Sequence, residues 1–158
     1  MERRTPLSTT DAIIEYTTAQ GKTGIVLITR GHEPYRGRLA IPGGFHEEGL
    51  TLEENAMKEA REETGLQLHI MNPRNPYTYS EAERDPRGHI VAHVYCGLGM
   101  GELRAGDDAA KADVYDQAQI RELLERHQRT GDVFAFDHAR ILAENWYRWY
   151  FRQDNGYA

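Results

Sequence analysis

Three glutamates, Glu59, Glu62 and Glu63, fall within one short run, Lys58-Glu59-Ala60-Arg61-Glu62-Glu63-Thr64-Gly65. On a helix their i, i+3 and i+4 spacing projects all three side chains from one face. Carboxylates gathered in this way repel one another, and a hard divalent cation removes the repulsion. Mg²⁺ takes oxygen ligands and is commonly held by a few carboxylates together with the phosphate oxygens of a substrate. The plainer reading is a solvated acidic face, since Glu- and Lys-rich helices are common. What favours the chemical reading is the segment upstream. Gly43-Gly44-Phe45 is a place where backbone can approach a ligand closely, and it leads into a sharply bounded helix. Such a strand–glycine–helix unit would be aimed at a phosphate site, with the cation held between carboxylates and phosphate oxygens.

The elements that must position these groups are legible around them. Thr51 with Glu54 three residues later forms a capping box, and Gly65 is a natural C-terminal stop. Leu52, Ala56, Met57 and Ala60 give the helix between them, 52–64, a small apolar stripe. Before it, 12–16 and 24–28 read as strands joined at Gly21, and 39–41 as a short strand ended by Pro42. After it, 66–71 reads as a strand and 72–88, with Pro73, Pro76 and Pro86, as a long loop. Residues 89–98 form a strand with Ile90, Ala92, Val94, Cys96 and Leu98 on one apolar face. Residues 97–108 read as a glycine-rich loop, and 119–129 and 138–152 as helices. The order β-β-β-α-β-β-α-α places helices against a mixed sheet, an α/β (α+β) architecture.

The chain has 158 residues, of which 39% are hydrophobic and 28% charged, which suits one globular domain spanning 1–158. A net charge of −6 argues against duplex nucleic acid as a partner, but not against a small phosphorylated ligand whose charge a metal ion offsets. The lone cysteine, Cys96, leaves no internal disulfide and no thiolate zinc site. It falls on the apolar strand face and reads as a core residue. No apolar run is long enough to span a bilayer, so no membrane partner is expected and a reducing cytoplasm is the expected address. His89 and His93 share one strand face, but without a third ligand they read as packing or hydrogen-bonding residues rather than a metal site.

Residues 44–66, GFHEEGLTLEENAMKEAREETGL, resemble the Nudix box, G-x5-E-x7-R-E-U-x-E-E-x-G-U with U aliphatic, without a gap. Gly44 takes the first glycine, Glu59 the glutamate after the arginine, Glu62 and Glu63 the paired glutamates, and Gly65 and Leu66 the close. The resemblance implies an α/β/α sandwich with a mixed central sheet and a loop–helix–loop catalytic motif. It also implies hydrolysis of a nucleoside diphosphate linked to another group, with Mg²⁺, or Mn²⁺ as the alternative. Metal ligands would be Glu59, Glu62, Glu63 and the backbone carbonyl of Gly44. The general base would be Glu62 or Glu63, with Glu102, Asp107 and Asp108 as rivals. Two positions depart from the pattern: Leu50 stands for the first glutamate and Lys58 for the arginine. Together they suggest a lost ion pair supporting the metal helix, and reduced activity, because Lys lacks the planar fork of Arg.

The segments 39–45, 80–88, 106–112 and 134–138 are similar to those of ADP-ribose pyrophosphatases, which implies cleavage of ADP-ribose to AMP and ribose 5-phosphate. Gly43, Arg38, Arg84 and Arg87 are the substrate-binding candidates, since guanidinium meets phosphate in a bidentate manner. Pairing of Arg84 and Arg87 with Asp85 or Glu83 is the equal alternative. On the C-terminal helix, Ile141, Leu142, Asn145, Trp146, Trp149 and Tyr150 recur at helical spacing, which suits core packing. A homodimer interface is the second reading, and relatives of this kind are frequently dimers. Rival functions are a Nudix hydrolase acting on NADH, a dinucleoside polyphosphate or a nucleoside triphosphate, and a catalytically silent module that binds ADP-ribose.

Overall fold

The computed structural model describes residues 4–106 and 109–154, with side chains described as far as Trp146. A mixed sheet is built from β1 (Leu7–Thr17), β2 (Thr23–Arg30), β3 (Leu39–Ala40), β4 (Gly43–Phe45), β5 (Gln67–Ile70), β6 (Tyr77–Tyr79), β7 (Ile90–Met100) and β8 (Ala109–Tyr115). The path runs β3-β2-β1-β7-β5, with β4 on β1, β6 on β7 and β8 on β2. β1 and β7 are parallel, and the other pairings are antiparallel. Three helices complete the chain: α1 (Leu52–Thr64), α2 (Gln117–Thr130) and α3 (His138–Asp154).

The central strands are buried on both faces, and alternate residues feed two cores. Ile13, Ile25, Leu27, Val94 and Cys96 pack with Ile120, Ile141, Leu142 and Trp146 of α2 and α3. Ala12, Ile14, Val26 and Tyr95 pack with Ala56 and Ala60 of α1. The result is the expected α/β/α sandwich. The described part of the C-terminal stripe (Ile141, Leu142, Asn145, Trp146) is buried against the sheet. Trp149 and Tyr150 lie outside the residues whose side chains are described.

Three strands lie where none was expected, and each has a physical reason. Gly43–Phe45 is paired to β1 rather than being a free glycine turn. Tyr77–Tyr79 interrupts the proline-rich loop and pairs with β7. Ala109–Tyr115 lies between the expected loop and α2 and pairs with β2; its charged residues face outward at the sheet's edge, so no apolar run announces it. β7 also runs on to Met100 through Gly97 and Gly99. A Cβ on Gly97 would stand 2.8 Å from Leu68 Cδ1, and one on Gly99 would stand 2.8 Å from both Ile14 and Leu66 side chains. These glycines thus mark close packing within a strand, not a loop. Leu98, expected on the apolar face, is instead 37% exposed.

Candidate active site

α1 carries the acidic residues and is held at both ends. Thr51 accepts from the Glu54 N–H at 3.1 Å, and the Glu54 carboxylate accepts from the Thr51 N–H at 2.8 Å. Gly65 caps the other end in the left-handed region, at φ 74°. Each residue advances about 100° round a helix. Glu59 and Glu63 therefore flank one line facing the sheet, while Glu62 falls on the other flank beside Lys58. Glu63 is buried and its Oε2 accepts from the Gly43 N–H at 3.1 Å. Glu59 lies against Gly44 so closely that a Cβ there would stand 2.6 Å from the carboxyl group. The Glu62 side chain is 53% exposed and is 2.7 Å from Lys58 Nζ. The three glutamates thus do not converge as the helical spacing predicted: two reach the glycine strand, and the third is engaged by the lysine one turn back.

The structure supplies another acid. Asp11 of β1 pairs with Gly43 in the β1–β4 register and is buried. Burial pushes its carboxyl up to about 7, against the pull of Arg84, and the charges of Asp137 and Glu59 add to the rise. Burial likewise pushes Glu63 up to about 8, opposed by the Gly43 N–H and reinforced by Glu59 and Asp11. Asp is depleted in strands and is rarely buried without a partner. An aspartate heading the apolar run 12–14 was the available signal for this residue.

A small cleft, about 90 Å³, opens beside these groups. β1 and β4 give it Thr9, Asp11, Gly43, Gly44 and Phe45. β2 gives Ile28 and Arg30, the loop after β6 gives Arg84, Asp85 and Arg87, and the chain entering α3 gives Phe136 with His138 at the first position of the helix. Arg84 lines it but is committed to Asp137, with Nε 2.9 Å from Oδ2 and Nη2 bonded to Oδ1. Its partner is therefore neither Asp85 nor Glu83. Arg87 forms a bidentate pair with Asp85, at 3.0 and 2.8 Å, and stacks over Phe45 and Phe136 at 4.7 and 5.2 Å from the ring centroids. Arg30 donates from Nε to the Pro34 carbonyl at 2.7 Å and lies 4.9 Å over Phe136. Among the described residues it forms no ion pair with a carboxylate. Phe136 is held at φ 50°, a costly conformation for a bulky residue and one that clusters at ligand sites. Arg30 was missed by sequence reading because nothing distinguishes an arginine at a strand end until the fold brings Phe136 beneath it.

Two expected residues stay outside the cleft. Arg38 stacks over Tyr35 and donates to the Gly131 carbonyl at 3.2 Å, drawn toward the end of α2. Glu102 is exposed on the chain leaving β7, which packs on the end of α1 through its backbone, with the Arg104 N–H bonded to the Thr64 carbonyl at 2.9 Å. Asp107 and Asp108 lie outside the described residues. His89 and His93 bond to the Ser80 carbonyl and the Ser8 hydroxyl, at 2.8 and 3.4 Å, as polar packing residues.

His138 closes the cleft and is buried, its Nδ1 accepting from the Ile41 N–H at 3.0 Å. Burial holds its imidazole down to about 4, with Asp137 and Asp85 raising it and Arg84 and Arg30 lowering it. The unfolded chain takes up a proton near pH 6.5 that the folded protein refuses until about 4. The stabilisation tied to the neutral ring is therefore complete above pH 6.5 and is lost as pH falls through that window, by on the order of 3 kcal/mol. Urea unfolding of wild type and His138→Asn at pH 7.5 and 4.5 checks this. The wild type is expected to lose its advantage over the variant at the lower pH, and a pH-independent difference would contradict it.

Among the described residues no three His, Cys, Asp or Glu side chains are close enough to hold a metal ion as they stand. The donor chemistry nevertheless fits a hard cation. Asp11, Glu59 and Glu63 crowd one backbone segment, Asp11 and Glu63 being raised by burial and by the charge of Glu59, and all are oxygen donors. Glu62 is exposed and would join such a set only by leaving Lys58.

The site thus lies in a mixed sheet between helices, with an acidic helix held against a glycine strand and a guanidinium-lined cleft beside it. The NUDIX domain model matches residues 8–137, and the chain belongs to that family. It is 39% identical over 126 residues to an ADP-ribose pyrophosphatase of Methanocaldococcus jannaschii, covering 79% of this chain and 66% of that protein. It is 34% identical over 95 residues to the ADPR responsive transcriptional repressor NtrR of Acinetobacter baylyi, covering 59% of this chain and 37% of that one. A MutT/nudix family protein from Enterococcus faecalis superposes with a TM-score of 0.74 at 25% identity, covering 94% of this chain and 63% of that one. The chain thus spans just under two thirds of the M. jannaschii and E. faecalis proteins. Among the described residues no helix is long and apolar enough to cross a membrane.

Proposed function

We propose that this chain is a divalent-cation-dependent pyrophosphohydrolase that cleaves ADP-ribose to AMP and ribose 5-phosphate. The observation that carries the reading is its 39% identity to an ADP-ribose pyrophosphatase, in a chain whose cleft pairs carboxyls with guanidiniums. Glu59, Glu63 and the Gly44 carbonyl would hold the cation, joined by Glu62. When bound, a divalent ion screens the diphosphate and acidifies water beside it. Arg30 and Arg87 would meet the phosphate oxygens, where a guanidinium donates in a planar fork. Water adds to one phosphorus, the anhydride P–O bond breaks, and the water's proton passes to a carboxylate. With Glu102 outside the cleft, the candidates among the described residues to receive it are Glu62, Glu63 and Asp11. Mg²⁺ is the cation of this reading, a reducing cytoplasm its setting, and a homodimer its assembly.

The test is purified protein with ADP-ribose and Mg²⁺, with detection of AMP and ribose 5-phosphate, against NADH, dinucleoside polyphosphates and nucleoside triphosphates. ADP-ribose turning over no faster than the others would reject the assignment. The held position of Glu62 favours one second reading, a silent ADP-ribose-binding module. Calorimetric binding of ADP-ribose with no AMP released at any Mg²⁺ or Mn²⁺ concentration would establish it.

Gly44→Ala separates the site from the fold. The added methyl meets the flexible end of Glu59 rather than backbone, at 2.6 Å, so the carboxyl moves while the strand stays. Turnover is expected to fall roughly ten- to a hundredfold, the scale of misplacing a group by an ångström, with the melting temperature unchanged. Undiminished turnover would remove Glu59 from the site.

A further inference from the structure

Lys58 links two acids that belong to different parts of the site. Its Nζ lies 2.9 Å from Glu47 Oε2, on the chain entering the helix, and 2.7 Å from Glu62 Oε1, one turn along α1. The ion pair expected to be lost with Leu50 and Lys58 is therefore present, made by an acid three residues earlier. The backbone of Glu47 is itself fixed. Its N–H donates to Asn55 Oδ1 at 3.0 Å, and Asn55 is fully buried, donating from Nδ2 to Thr10 Oγ1 at 2.7 Å and to the Phe45 carbonyl at 3.2 Å. Leu50 donates its N–H to the Glu47 carbonyl at 3.3 Å, so the segment turns back and presents Glu47 to the helix.

We propose that Glu47 is a positioning residue for the metal helix, acting through Lys58 to hold the chain that follows Gly44 against α1. Asn55 fixes that chain at the buried side, and the Glu47–Lys58 pair fixes it at the exposed side, so Gly44 is kept in register with Glu59. Lys58 also balances Glu62, and Glu47 keeps the lysine in place when Glu62 turns to a cation. The inference rests on the metal-site reading above. The pair is exposed, so its effect is modest and screened by salt.

The test uses Mn²⁺ binding without nucleotide, followed by electron paramagnetic resonance, in wild type, Glu47→Gln, Lys58→Met, Lys58→Arg and the Glu47→Gln/Lys58→Met double variant. Glu47→Gln is expected to weaken Mn²⁺ binding roughly three- to fivefold at low salt, with the difference fading toward molar salt. It adds nothing once Lys58 is Met, and Lys58→Arg keeps the wild-type affinity. In the metal-free protein, Glu47→Gln speeds amide exchange over residues 45–50. An unchanged affinity in Glu47→Gln overturns the proposal, as does an equal loss in both backgrounds, which would be a long-range charge effect. Wild type that takes up no Mn²⁺ sinks the metal-site reading itself, and this inference with it.

Discussion

Glu63→Gln is expected to lower ADP-ribose turnover by roughly 10²- to 10³-fold, the scale of removing one fixed electrostatic group from a polar reaction site, while leaving the metal-free protein at least as stable. Both halves follow from one geometry. Glu63 is buried, its Oε2 accepts a single backbone N–H from Gly43, and Glu59 and Asp11 add their repulsion to the cost of burial. A glutamine amide oxygen takes the same N–H, keeps the same shape and removes the charge that the neighbours oppose. It cannot serve as an anionic ligand, nor accept a proton from water. Activity and melting temperature therefore move independently, which a packing residue would not allow. Glu62→Gln should also leave the fold intact, because Glu62 is exposed and its loss vacates only the pair with Lys58. A Glu63→Gln protein with wild-type rates, or one that melts well below wild type, would mean that Glu63 is a structural acid.

The acidic helix was legible in the sequence because its signals are local. The capping box at Thr51 and Glu54, the stop at Gly65 and the apolar stripe all act within one or two turns, and the helix occupies the predicted span, Leu52–Thr64. The layered mixed sheet followed from apolar runs of strand length separated by helices. What was not legible depends on contacts between residues distant in the chain. Asp11 becomes part of the site only through β1–β4 pairing. Arg30 does so only because Phe136 is brought beneath it from more than a hundred residues away. β8 gave only a weak signal because it is an outer strand, with Lys111 and Asp113 facing outward and mostly small residues facing in. Helical spacing overstated the convergence of Glu59, Glu62 and Glu63, because the positions three and four residues after Glu59 fall on opposite sides of it, about 100° apart round the helix. Lys58 then decides the matter by pairing with Glu62. The substitution at Leu50 read as a lost interaction because a pattern compares positions, whereas an ion pair needs only a carboxylate within reach, and Glu47 supplies one.

The largest effect on stability is expected at Arg84, a residue that sequence reading offered as a phosphate contact. Its side chain and that of Asp137 are 5% and 14% exposed, and the guanidinium meets the carboxylate through two nitrogens while donating to the Ile90 carbonyl at 3.3 Å. Replacing Arg84 by Met keeps the aliphatic bulk but leaves the largely buried Asp137 carboxylate without its cation. It also removes the cation that lowers the carboxyl of Asp11. Breaking one side of a buried pair costs about 3–5 kcal/mol, and that is the loss expected in urea unfolding. Most of this is the penalty of an unpaired charge rather than the value of the attraction, so Arg84→Met/Asp137→Asn should recover a large part of it. Recovery of stability need not bring recovery of activity. The pair joins the loop carrying Asp85 and Arg87 to the residue before α3, across the cleft, so the double variant frees Arg87 to move relative to Phe136. A loss below about 1 kcal/mol in the single variant, the value of an exposed pair, would show that solvent reaches Asp137. Arg84 would then be available to a phosphate after all.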